Sequence, residues 1–151
     1  MTRAYPKYYL DAAMENLGNY FEYGVIGCHI DADDLAQLFI QSDLARSFSM
    51  GLVRYNVGTT GRGLLCRAFR AVNRPTDSIP FFNKIAISPF YWAGMSVAYY
   101  QWYRNTTLEN IWQAVPMSRI VQVYYPLHEA GLSKFVDVMD SLLQPSENAV
   151  G

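Results

Sequence analysis

A chain of 151 residues, 51% apolar and 17% charged, can bury about two-thirds of the surface its unfolded form exposes, which excludes a disordered polypeptide and fits one domain. The formal net charge of −1 gives no global attraction to nucleic acid or to an anionic membrane. Two cysteines, Cys28 and Cys66, outside any Cys-x-x-Cys spacing, are too few for a disulfide-stapled secreted module; with an N-terminus that lacks an apolar signal stretch, they predict a cytoplasmic protein.

From Pro6, a residue suited to a first helical turn, Leu10, Met14, Leu17, Phe21 and Val25 recur at helical spacing, and Gly24 and Gly27 loosen the end of that helix. Asp31 is the expected N-cap of a second helix carrying Leu35, Leu38 and Phe39 inward. Ser42 is expected to cap a short third helix over 43–48 that stops near Gly51. Residues 51–61 read as a loop, whose Gly58-Thr59-Thr60-Gly61 run places an N-cap at Thr60. A fourth helix follows with Leu64, Leu65, Ala68, Phe69 and Val72 inward, ended by residues 73–75. Pro75, Pro80 and Pro89 interrupt the stretch over 76–88, which reads as an ordered linker.

Residues 85–103 contain no charge over nineteen positions, close to the length of a bilayer span. Pro89, Gly94, Gln101, two serines and four tyrosines argue instead for a buried central helix with an extended lead-in, opened by Ser88-Pro89. Thr106 and Glu109 have capping-box spacing before Leu108, Ile111 and Trp112. Pro116 and Pro126 bracket a short helix with Ile120, Val121 and Tyr124. A last helix from near Ser133 carries Phe135, Val136, Met139, Leu142 and Leu143. The expected fold is therefore all-α: one domain of about seven or eight helices in two packed halves, 6–73 and 89–143, joined by a linker over 74–88 and followed by a disordered tail over 144–151.

No catalytic or metal-binding constellation emerges. Cys28-His29-x-Asp31-x-Asp33-Asp34 mixes soft and hard ligands at a spacing that matches no zinc site. An EF-hand loop counted from Asp31 would need Gly and Glu where Ala36 and Ser42 stand, so capping acids account for the cluster better. His128-Glu129 lacks a nucleophile or an orienting acid. Gly58-x-x-Gly61-x-Gly63 lacks the Lys-Ser/Thr and the preceding strand of a phosphate loop and reads as a turn. The aromatic stretch from Tyr91 to Tyr103 reads as core before stacking platform. The expectation is a non-enzyme with no cofactor and no metal.

Charge is segregated along the chain. Seven acids (Asp11, Glu15, Glu22, Asp31, Asp33, Asp34, Asp43) precede six arginines (Arg46, Arg54, Arg62, Arg67, Arg70, Arg74), with no Lys or Arg among the former and no acid among the latter. Arg67, Arg70 and Arg74 have the i, i+3, i+7 spacing of one helix side. Arginine without lysine favours planar, bidentate contact to carboxylate or phosphate. Either this helix packs beside the acidic first part and forms internal salt bridges, or the arginines face a partner.

Tyr91-Trp92-Ala93-Gly94 continuing to Ala98-Tyr99-Tyr100-Gln101-Trp102-Tyr103, Leu127-His128-Glu129-Ala130 with Ser133-Lys134-Phe135-Val136-Asp137-Val138-Met139-Asp140, and Leu38-Phe39-Ile40-Gln41-Ser42 together resemble an uncharacterised bacterial family found mainly in gut Firmicutes. The likeness spans most of residues 8–143. Members resemble accessory components of mobile-element or toxin–antitoxin-like loci, some joined to a helix-turn-helix, which implies a partner-binding or sensing module. This chain ends at Gly151 without such a domain, and its 51–63 loop is more basic than in the relatives; both weigh against direct transcriptional regulation. The resulting expectation is a protein-interaction module, in its sharpest form an inhibitor of a defence nuclease or toxin, with Arg54, Arg62, Arg67, Arg70 and Arg74 on the contact. An acidic protein is the first partner expected, nucleic acid the second; self-association stays open, and no membrane is expected. An enzyme using His128 with Glu129 or Asp31 is the remaining alternative.

Overall fold

Leu10, Met14, Leu17 and Phe21 line one side of the first helix, and that side leaves water only if another element covers it. In the computed structural model, which describes residues 3–81 and 88–143, the cover is α6 (Pro89–Arg104), lying along α1 (Leu10–Glu22) in the most extensive helix contact of the described residues. Two glycines set the approach. A Cβ on Gly94 would stand 2.6 Å from the Leu17 carbonyl oxygen, and one on Gly18 would stand 2.9 Å from that of Tyr91. Backbone therefore packs on backbone, which no larger residue permits. Helices that precede and follow residues 76–88 thus meet directly along this seam.

A 3-10 turn, Lys7–Tyr9, leads into α1, which passes into a π-helical segment, Tyr23–Gly27. Then come α2 (Ala32–Gln41), α3 (Leu44–Ser49), α4 (Val53–Asn56) and α5 (Gly61–Ala71). After α6 follow α7 (Leu108–Ala114), α8 (Met117–Gln122), α9 (Tyr124–Leu127) and α10 (Leu132–Leu143). The described residues are all-helical, without a strand. Among the described residues ten α-helices stand where about seven or eight were expected, because α4 and α9 are single turns too short to carry a period. Pro126, expected to break the chain, instead sits inside α9, where a first-turn N–H has no intrahelical acceptor to lose.

Thr60 and Ser88 cap as expected, accepting from the Gly63 N–H at 2.9 Å and the Tyr91 N–H at 3.2 Å. Ser42 does not cap α3: its hydroxyl donates back to the Phe39 carbonyl at 3.1 Å, and Asp43, at a left-handed φ of 66°, occupies the cap position. The cap of α7 is Thr107, not Thr106, and it accepts from the Asn110 N–H at 3.1 Å. Val72, expected inward, lies beyond the last turn of α5 and is exposed. The linker is described to Phe81 and again from Ser88; residues 82–87 and the expected tail over 144–151 lie outside the described residues.

The core runs the length of the α1–α6 seam. Tyr20, Phe21, Phe39, Phe48 and Trp112 meet in tilted and edge-on ring contacts in one cluster, and Trp92 meets Phe135 and Tyr124 edge-on in another. Among the described residues no helix is long and apolar enough to cross a membrane. A polar thread crosses this interior. Fully buried Gln101 donates to the carbonyls of Ser49 (3.2 Å) and Thr106 (3.0 Å), and the Ser49 hydroxyl accepts from the Leu108 N–H at 2.9 Å, joining α3, α6 and α7.

Candidate interaction surface

The segment before α5 is polar and glycine-rich, yet it is held in place. Asn56, fully buried, donates to the Phe48 carbonyl at 3.0 Å and accepts at its own carbonyl from the Asn16 side chain at 2.8 Å. The first of these adds a second donor to a carbonyl that already accepts from the Gly51 N–H at 3.0 Å, and the second satisfies the carbonyl at the end of α4. Thr60 then opens α5 at Gly61, where a Cβ would stand 2.7 Å from the Asn16 carbonyl oxygen. So α5 is seated on α1, and α4 lies beside it.

Tyr55 projects between the two elements. The guanidinium of Arg67 lies 5.1 Å from its ring centre and that of Arg54 5.8 Å, within the range in which a cation is drawn to a ring face. A groove of about 360 Å³ runs alongside, lined by Ser42, Leu44, Tyr55, Arg67, Arg70 and Ala71. Met50, Leu52 and Val53, all close to half exposed or more, form an apolar shoulder immediately before Arg54. Among the described residues no carboxylate pairs with Arg54, Arg67 or Arg70. The last acid of the acidic segment, Asp43, faces Arg46 at 4.0 Å, with both side chains about two-thirds exposed. Internal salt bridges from α5 to the acidic segment, one of the two readings of the charge pattern, are therefore absent here, although α5 does pack on α1.

The other two arginines named from the sequence are placed differently. Arg62 donates to the carbonyls of Ile79 (2.8 Å) and Pro80 (3.2 Å), and its guanidinium lies 3.6 Å from the Phe81 ring centre. It clasps the chain that follows α5. Arg74 lies past the helix, after Asn73 has turned left-handed at φ 58°, and folds back over Phe69 at 4.5 Å. It does not continue the side of α5 that carries Arg67 and Arg70. Both are close enough to Cys28 to pull its thiol toward the charged form, but burial outweighs them and the thiol is pushed up.

Of the remaining sequence candidates, Asp33 caps a helix other than its own: its carboxylate accepts from the Ser118 N–H at the start of α8, at 2.8 Å. Asp31, at the cap position of α2, makes no side-chain cap bond. His128 stacks on Tyr124 with centres 4.3 Å apart, and its Nδ1 lies 2.8 Å from the Tyr124 carbonyl oxygen. Glu129 lies 4.0 Å away and is exposed. Among the described residues no three His, Cys, Asp or Glu side chains converge as a metal site would require. The aromatic residues of α6 are mostly core: Trp92, Tyr100 and Trp102 are buried, while Tyr99 and Tyr103 stack on each other, half-buried.

Tyr55, Leu44 and the apolar shoulder escaped the sequence reading, and Ser42 was read there only as a helix cap. The only local signal was the succession Leu52-Val53-Arg54-Tyr55, apolar residues running into a cation and a ring inside a presumed loop. Compared with known proteins, the chain matches no family model, no curated protein and no solved structure.

Proposed function

We propose that this chain is a non-enzymatic protein-interaction module whose contact face is centred on Arg54, Arg67 and Arg70, with Met50, Leu52, Val53 and Tyr55 as its apolar part. The observation that carries the reading is the juxtaposition of unpaired guanidiniums with exposed large apolar side chains. Arginine, tyrosine and methionine are the residues enriched at protein interfaces, and lysine, which this face lacks, is depleted there. Arg62 and Arg74 flank the face and shape its edge. The resemblance of the α6 and α10 motifs to proteins of mobile-element loci extends the proposal to a bacterial accessory factor or inhibitor acting on a partner such as a defence nuclease or toxin in the cytoplasm.

The test is an affinity pull-down of tagged protein from its bacterial host, with and without nuclease, comparing wild type with Arg54→Glu/Arg67→Glu/Arg70→Glu. A stoichiometric protein that survives nuclease and is lost from the triple variant is the expected result. An all-arginine charge set beside a tyrosine ring also suits phosphate and base stacking, which gives the nucleic-acid reading. It requires affinity to fall steeply between low and moderate salt as counterions are released. A flat salt response removes it.

A further inference from the structure

The groove beside Tyr55 has a donor–acceptor pattern of its own. Its α5 wall presents Arg67 and Arg70, which can only donate. The opposite wall presents the Ser42 hydroxyl, whose proton is already directed to the Phe39 carbonyl at 3.1 Å. Toward the groove that oxygen therefore offers lone pairs. Leu44, Ala71 and the Tyr55 ring supply the apolar lining between them. An occupant must bring an anion for the guanidiniums, a hydrogen-bond donor for Ser42 and apolar surface for the rest.

We infer that this groove takes an acidic peptide segment of a partner protein, in which an Asp or Glu carboxylate meets Arg67 and Arg70, a main-chain N–H donates to Ser42, and a neighbouring aliphatic side chain covers the Leu44–Tyr55 lining. A DNA sugar–phosphate backbone supplies the anion with no donor beside it, whereas a peptide main chain carries an N–H next to each acidic side chain, so the Ser42 acceptor favours peptide over a DNA backbone. Met50, Leu52 and Val53, exposed and just before Arg54 and Tyr55 in the chain, are not engaged by this pairing. The inference rests on the interaction-module reading and names the chemistry of its partner.

The experiment titrates the full chain, labelled at its backbone amides, with a soluble peptide carrying Glu-Leu-Glu in a Gly-Ser context. Saturable shifts confined to Ser42, Tyr55, Arg67, Arg70 and their neighbours are expected. Affinity should drop at least ~10-fold when Gln replaces Glu in the peptide or Ala replaces Arg70 in the protein, the size of a lost charge-assisted pair. Ser42→Ala should weaken binding by about threefold, a single modest hydrogen bond. Arg70 is exposed, so an unchanged amide spectrum elsewhere certifies the fold of Arg70→Ala. Equal binding of the Gln peptide, shifts scattered over other surfaces, or tighter binding of an oligothymidylate would each overturn the inference. If no peptide binds while the triple arginine reversal still releases a protein partner from lysate, the groove assignment is wrong and the interaction face stands. If the reversal releases nothing either, both fall.

Discussion

Two sets of arginines in this molecule meet opposite fates. At the end of α6, Arg104 forks onto Asp140 of α10, Nε at 3.1 Å from one carboxylate oxygen and Nη2 at 2.5 Å from the other, while the Tyr100 hydroxyl donates to the same carboxylate at 2.7 Å. The carboxylate has been brought from 36 positions away in the chain. The hydrogen bond from Arg104 holds the Asp140 carboxyl below its ordinary range, and the Tyr100 hydroxyl is pushed up, first by burial and then by Asp140. At α5, Arg67 lies over a tyrosine ring and Arg70 is exposed, and among the described residues neither pairs with a carboxylate, although seven acids precede them in the sequence. Charge satisfied within the fold braces two helices; charge left outside it is available to something else. The difference lies in what tertiary packing places within reach, not in residue type.

The contrast can be broken from either side. The largest effect is expected at the seam that supports both regions: Gly94→Leu forces α1 and α6 apart and should lower stability by about 3 kcal/mol or more, read as loss of a cooperative melt. Next, Asn56→Ala removes the donor to the Phe48 carbonyl from a buried site and should cost about 2 kcal/mol. Because Asn56 anchors α4, that variant should also increase hydrogen exchange across 51–58 and weaken partner binding without touching an arginine. Smaller again is Asp140→Asn, measured by melting temperature against pH. A carboxyl held low in the folded state contributes its full stabilisation above the ordinary carboxylate range, near about pH 4, and loses it as the pH falls through the lower folded value. Wild type should therefore lose its advantage over Asp140→Asn on acidification, whereas a constant difference across pH would separate the Arg104 site from its assigned role. The smallest effect on stability is expected from Arg67→Glu and Arg70→Glu, whose melting temperatures should match wild type while partner capture is lost. A large fall in melting temperature there would place these arginines with Arg104.

Much of the helical plan was legible in the residues. Periods carried by Leu10, Met14, Leu17 and Phe21, or by Leu64, Leu65, Ala68 and Phe69, needed no tertiary information, because one helical face must be apolar to be buried. Thr60 and Ser88 were readable as caps because a hydroxyl just before an apolar period has a local bonding role. Single turns were not: α4 and α9 have too few residues for a period, and Asn56 gives no sign in sequence that its amide will be buried. The displaced caps at Ser42 and Thr107 show the same limit, since a hydroxyl next to a helix end can serve either neighbour and long-range packing chooses.

At the surface the division is sharper. Sequence by itself determined that six arginines stand in a stretch without acids, and that the chemistry they favour is planar contact to an anion. It could not say which of them would be used internally. Arg62 is turned inward because the chain after α5 folds back and brings the carbonyls of Ile79 and Pro80 to it, and Arg74 leaves the helix side because Asn73 ends α5 with a left-handed turn. Arg67 and Arg70 remain outward because α4, held by Asn56, sets a tyrosine beside them and no acid. Composition decides how much charge a chain must accommodate; only the packing of its helices decides where that charge finds a partner.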